Sequence, residues 1–141
     1  MPRPTKPLAL LLAVPSLAIG IAACGKTTSV NKFSGEEHDV AQAIANLQSD
    51  ARSAEQQKIC SNDLASMVVA RLNATPGGCK QALKSQLSQI DNFDVTVESV
   101  HVTAPRHTAT ARVKSIYNGK NRIRTVSLVD EGGKWKILSV I

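Results

Sequence analysis

The sequence predicts an α+β fold in which three helices precede a four-stranded antiparallel meander. Apolar residues recur at helical spacing up to about residue 90, and from Val95 onward they alternate with polar residues. Two turn signals, Asn118-Gly119 and Gly132-Gly133, divide the alternating part into antiparallel strands. Helices grouped before strands are typical of α+β domains, in which the helices cover one face of the sheet.

The helices are bounded by local signals. The first begins at the capping-box signature Ser34-Gly35-Glu36-Glu37 and runs to the low fifties. The second spans about residues 54–72, and the polar run Ser61-Asn62-Asp63 is a point at which it can break in two. Pro76-Gly77-Gly78 predicts a loop, after which a third helix spans residues 79–90.

The strands can be aligned from the turns alone. The first covers about residues 95–102, and a change of apolar phase near Glu98-Ser99 predicts a bulge. A two-residue turn at Asn118-Gly119 pairs Ala111 with Val126. A second two-residue turn at Gly132-Gly133 pairs Leu128 with Ile137. Both turns place the same set of apolar residues on the face toward the helices: Ala109, Ala111, Val113, Val126, Leu128, Trp135 and Ile137.

The same register makes two predictions about the sheet surfaces. Arg122 and Arg124 fall on the inner face near the hairpin tip, where an unpaired buried arginine is costly. This end is therefore either open to solvent or bulged. On the outer face, Ile123, Leu138 and Val140 form an apolar patch, which suggests a contact with a partner or with a second copy through the sheet.

The N-terminus has the layout of a secretory signal over residues 1–23. A basic start precedes an uncharged run over residues 8–23, which is too short and too interrupted for a stable membrane span. The run ends in Ile21-Ala22-Ala23-Cys24-Gly25, which resembles the bacterial lipobox. The resemblance implies that Cys24 becomes the N-terminus and carries a diacylglycerol with chains such as palmitate, which would hold the protein on the membrane.

These signals predict three segments and a location. Residues 1–23 are a lipoprotein signal peptide, residues 24–33 are the lipidated cysteine and a flexible tether, and residues 34–141 are a single domain. We expect the protein on the extracytoplasmic face of a bacterial cell membrane. The letters of Gly20–Thr27 also satisfy the phosphate-loop pattern, but the flanking strand and helix are missing, so nucleotide hydrolysis is not expected.

Cys60 and Cys79 remain after Cys24 is assigned to the anchor. An even pair in an exported domain favours a disulfide, with a metal site and a catalytic thiol as the alternatives. A metal site would need further ligands near the cysteines. The three histidines, His38, His101 and His107, show no metal-ligand spacing relative to either cysteine. We therefore expect no metal, no cofactor and no nucleic-acid partner.

Charge is unevenly distributed along the chain, whose formal net charge is +6. Residues 25–100 hold seven Lys or Arg against nine Asp or Glu, whereas residues 101–141 hold eight against only Asp130 and Glu131. This basic segment could face anionic lipid headgroups, acidic envelope polymers or an acidic partner. It is also compatible with a solvated sheet face, which is the interpretation we favour.

Residues 36–141 resemble the nuclear transport factor 2-like superfamily, and specifically its secreted lipoprotein branch in actinobacteria. The residues that carry the resemblance are Ile59-Cys60 at the end of a helix, the partner Cys79, and the closing segments Val126-Ser127-Leu128 and Gly132–Ile137. The resemblance implies a curved sheet that forms a cone around the helices and encloses a pocket. Some members are enzymes, such as ketosteroid isomerases and scytalone dehydratases, and many others only bind.

Two functions follow from the resemblance. The first is a non-catalytic domain that binds a small apolar ligand or an envelope protein, with a pocket or mouth at Val113, Tyr117, Arg122, Arg124 and Trp135. The second is an isomerase- or dehydratase-like enzyme, which needs an acid or base in the pocket. Its candidates are Asp94, His101, His107 and Tyr117, but none fits the catalytic pattern of those enzymes. We favour binding and assign no catalytic residue.

Overall fold

A computed structural model describes residues 30–88, 93–117 and 119–141, with only the backbone of Tyr117. Within these ranges, four helices precede four strands. The elements are α1 Gly35–Arg52, α2 Gln56–Lys58 continuing as a π-helical turn over Ile59–Asp63, α3 Ser66–Asn73, α4 Gly78–Leu87, β1 Asp94–Thr103, β2 Thr108–Tyr117, β3 Lys120–Asp130 and β4 Trp135–Val140. No helix in the described ranges is long and apolar enough to cross a membrane.

The α+β class is confirmed, and the helix count differs by one. The predicted second helix is two helices, because the chain leaves the π-helical turn at Leu64 in an extended conformation and α3 starts at Ser66. The break follows the polar run Ser61-Asn62-Asp63. The predicted end of the third helix, Ile90, lies outside the described residues.

The sheet is an antiparallel meander in the order β1-β2-β3-β4. Its register agrees with the pattern derived from the turns, since Ala111 pairs with Val126 and Leu128 pairs with Ile137. The predicted bulge in β1 lies between Val97 and Ser99. A period of two residues and a tight turn together determine which side chains face the helices, so the sequence predicts the inner face of the sheet.

The core lies between α1 and the inner face of the sheet. Val40, Val97 and Leu128 are completely or almost completely buried there, and Ile59 joins them from the π-helical turn. Two residues that precede α1 also contact the core, because Val30 is buried and Phe33 packs against it. These two residues of the predicted tether therefore contact the core, and residues 24–29 lie outside the described ranges.

A second bulge, which the register derived from the turns does not predict, lies where β3 meets β4. The pairing shifts between Ser127 and Leu128, so that Val140 pairs with Val126. Directly opposed residues of antiparallel strands point to the same face, which places Val140 on the inner face with Val126. The prediction that Val140 belongs to the outer apolar patch is corrected by this shift of one residue.

Candidate functional site

A cavity of about 590 Å³ lies between α1 and the inner face of the sheet. Its wall is predominantly apolar because α1 and all four strands present aliphatic or aromatic side chains toward it. The apolar lining consists of Ile44, Leu47, Phe93, Val95, Val113, Ile116, Val126, Ile137 and Val140. The arrangement is a pocket between one helix and the inner face of the sheet.

The polar part of the wall lies toward the β2–β3 turn. Arg122 pairs with Ser115 across the two strands, and Arg124 pairs with Val113, so both arginines are on the cavity face. Both are exposed, and the pairing of β2 with β3 runs without a bulge. Of the two alternatives for this end of the sheet, the structure has the open one, in which both arginines are accessible to solvent.

Asp94 is the only carboxylate in the described part of the cavity wall. The Arg52 guanidinium, at the last residue of α1, forms an ion pair with Asp94 through Nη2 and Oδ1. Its Nε also donates to the carbonyl oxygen of Phe93, at 3.1 Å. Arg52 therefore joins α1 to the start of β1 and balances the negative charge of Asp94.

The structure brings together three of the five residues predicted for the pocket. Val113, Arg122 and Arg124 line the cavity. Trp135 does not, because it pairs with Asp130 beside the β3–β4 turn, at the opposite end of the sheet. The side chain of Tyr117 lies outside the described part of the structure.

The predicted partner face is divided between the two sides of the sheet. Ile123 pairs with Lys114 on the outer face and is 47% exposed. Leu138 is half-buried at the bulge, and Val140 lines the cavity. The three residues therefore do not form the outer apolar patch that the sequence predicts, because Val140 belongs to the cavity wall.

The candidate acid and base residues do not converge. His101 is exposed on β1, opposite Thr110. His107 follows the turn after β1, and its Nδ1 lies 3.7 Å from Oδ2 of Asp130. Among the candidates whose side chains are described, only Asp94 lines the cavity, where it is ion-paired with Arg52.

A buried carboxyl outside the cavity wall was not singled out by the sequence. Asp63 ends the π-helical turn with 7% of its surface exposed, and its Oδ2 has no hydrogen-bond partner in the described structure. Burial, and secondarily the Asp50 carboxyl, raise the pKa of Asp63 to about 7, while Lys136 and Lys58 act in the opposite direction. No sequence pattern distinguishes this aspartate from those in solvated turns.

The cysteine prediction is confirmed for the pair inside the domain. Cys60 in the π-helical turn and Cys79 in the first turn of α4 form a disulfide, with their Cα atoms 6.2 Å apart. The Asn73 side-chain oxygen accepts a hydrogen bond from the backbone N–H of Cys79 at 3.0 Å. Cys24 and the signal segment lie outside the described residues.

Comparison with solved structures shows a likeness to a protein whose printed name contains NTF2. A solved structure named Rd1NTF2_05, in a variant with five substitutions, matches with 20% sequence identity and a TM-score of 0.44. The match covers 72% of this chain and 95% of that chain. No protein-family model and no curated protein sequence match this chain.

Proposed function

We propose that the protein is a membrane-anchored, extracytoplasmic domain that binds a small apolar ligand in its cavity without catalysing a reaction. The observation that carries the proposal is the apolar cavity of about 590 Å³ between α1 and the sheet. Cavities of roughly 300–1,000 Å³ with apolar walls and a few polar groups are the usual form of small-molecule sites.

The polar groups of the cavity favour binding over catalysis. An isomerase or a dehydratase needs a group in the pocket that is free to accept and return a proton. Asp94 is ion-paired with Arg52, and the described histidines lie elsewhere. A guanidinium group has N–H donors and no acceptor atom, so the arginines of the wall can hold an anion but cannot serve as proton acceptors.

The anchor is proposed from the sequence of the first 24 residues. Six residue steps separate Cys24 from the buried Val30, which span roughly 20 Å when fully extended. An acylated Cys24 would therefore hold the domain within one domain diameter of the bilayer. The disulfide is consistent with this location, because exported domains experience oxidising conditions.

Acylation at Cys24 is the first expected result. In a bacterial host that processes lipoproteins, mass spectrometry of the membrane-extracted protein is expected to show an N-terminus at Cys24 that carries acyl chains. The Cys24→Ser variant should lack them and should leave the membrane fraction or keep its signal. Recovery of the wild-type protein with Met1 in place and no acyl chain would overturn the anchor without affecting the cavity.

Ligand binding is tested with two tryptophan substitutions on opposite faces of the sheet. Val140→Trp places an indole in the cavity, whereas the control Ile123→Trp makes the same kind of change on the outer face. Both positions are exposed, at 58% and 47% of their surface, so both variants are expected to fold. We expect Val140→Trp to weaken binding of the neutral fluorophore N-phenyl-1-naphthylamine at least tenfold.

The measurement uses the unacylated mature chain, residues 24–141 with Cys24→Ser, so that no detergent is needed. This chain contains the whole described core, from Val30 to Ile137, and the disulfide. Ile123→Trp is expected to change the dissociation constant by less than about twofold, since it leaves the cavity open. Equal loss of binding in the two variants, or no binding by the parent chain, would contradict the proposed function.

A further inference from the structure

We infer that the ligand of the cavity is an anionic amphiphile, with an apolar body between α1 and the sheet and an acidic head group at Arg124 and Arg122. The inference rests on the proposed function, and it names the chemical class of ligand. A linear fatty acid or an alkyl phosphate has this chemistry. The argument comes from the position of the arginines, the charge balance of the wall and the cost of covering a guanidinium group.

Position is the first step. Arg124 lies on the inner face of β3, directly opposite Val113, which is 2% exposed, and two residues before the buried Val126. Arg124 therefore lies at the edge of the apolar part of the cavity wall. Arg122 lies on the same face of the same strand, roughly 7 Å along it, so both side chains can reach a single acidic head group.

Charge balance is the second step. The one carboxylate of the described wall, Asp94, is balanced by Arg52. No carboxylate among the described residues lies within ion-pair distance of Arg124. The cavity mouth therefore has a positive charge that Asp94 does not offset.

The cost of desolvation is the third step. A ligand that fills the apolar wall removes water from the inner side of Arg124, because the guanidinium borders that wall. A neutral ligand offers the charged group no replacement for the lost water, whereas a carboxylate or phosphate forms charge-assisted, bidentate hydrogen bonds with it. The site should therefore discriminate against a neutral molecule of the same length.

The test compares decanoate, decyl phosphate and decan-1-ol as competitors of N-phenyl-1-naphthylamine on the unacylated mature chain. We expect at least one of the two anions to bind about tenfold more tightly than the alcohol. Raising the salt concentration should weaken the anion and not the alcohol, because salt screens charge. The tighter of the two anions distinguishes a free fatty acid from a phosphorylated lipid as the source.

The decisive variant is Arg124→Gln, with Arg106→Gln as a control that removes the same charge from the exposed turn between β1 and β2. Arg124→Gln should reduce affinity for the preferred anion about tenfold and leave that for decan-1-ol within about twofold. Arg124→Lys should keep part of the preference, and Arg106→Gln should keep all of it. The melting temperature of each variant checks that it is folded.

Three results would overturn the inference and leave the proposed function intact. They are equal affinity for anions and alcohol, an unchanged preference in Arg124→Gln, and equal losses in Arg124→Gln and Arg106→Gln. Loss of binding to phosphatidylglycerol vesicles by Arg124→Gln, with unchanged affinity for decanoate, would assign the arginine to the membrane surface instead. The absence of fluorophore binding by the parent chain would overturn the proposed function itself.

Discussion

Removal of the Cys60–Cys79 disulfide is expected to lower the free energy of unfolding by about 3 kcal/mol. The bridge joins positions 19 residues apart and thus restricts the unfolded chain, which is the main source of its stabilisation in the chain-entropy model. The enclosed segment depends on it strongly, because α3 has no buried residue of its own. The double variant Cys60→Ala/Cys79→Ala, measured by urea denaturation against the parent chain, checks the expectation.

Reduction by dithiothreitol supplies an independent control. The reductant should destabilise the parent chain by a similar amount and have no effect on the double variant, since alanines cannot form the bridge. Hydrogen exchange should increase first in α3 and α4, because the bridge joins α4 to the π-helical turn and the Asn73 contact joins α3 to α4. A loss below about 1 kcal/mol would contradict the assigned role of the disulfide.

Asp63→Asn is expected to stabilise the protein at pH 8, and the gain should become smaller as the pH falls to 5. The pKa of the Asp63 carboxyl is about 7 in the folded protein, against 3.8 as its ordinary value. Between these two values the folded state binds a proton that the unfolded state does not, so stability rises as the pH is lowered. The contribution between pH 8 and pH 5 is on the order of 2–3 kcal/mol.

The measurement is the difference in free energy of unfolding between the parent chain and Asp63→Asn at each pH. The comparison of the two proteins at the same pH is needed because other groups also change the stability of the parent chain as the pH changes. Hydrogen bonds from Ser66 lower the pKa of Glu131, so this carboxyl stabilises the folded state more at higher pH. Its contribution is the same in the parent chain and in Asp63→Asn, and it cancels when the two free energies are subtracted. Asp39→Asn, which neutralises an exposed aspartate of α1, is the matched control. A pH-independent difference for Asp63→Asn would refute the raised pKa.

Several features of the fold can be predicted because they depend on residues that are close together in the sequence. The pairing of Ala111 with Val126 follows from the turn residues and the two-residue period, neither of which depends on distant contacts. The bulge near Glu98 could be located because it reverses the apolar phase of β1. The Cys60–Cys79 pair required only the count of cysteines and the expectation of export.

The errors have a common cause in packing between segments that are distant in sequence. The β3–β4 bulge depends on how β4 packs against the helices. The sequence contains one indication of it, because the apolar residues Ile137, Leu138 and Val140 do not follow the two-residue alternation of a regular strand. The inner-face position of Trp135 predicts a place in the pocket, but the position of α1 along the sheet decides which end of that face is covered, and Trp135 lies at the other end.

The sequence alone therefore determined the order of elements, the inner face of the sheet and the disulfide, because spacing and turn chemistry are properties of the local chain. Only the tertiary structure decided that Val140 and the arginines border one cavity, that Arg52 balances Asp94, and that Asp63 is buried near Asp50. The environment of a charged group depends on which distant segments exclude water from it and which charges they bring close.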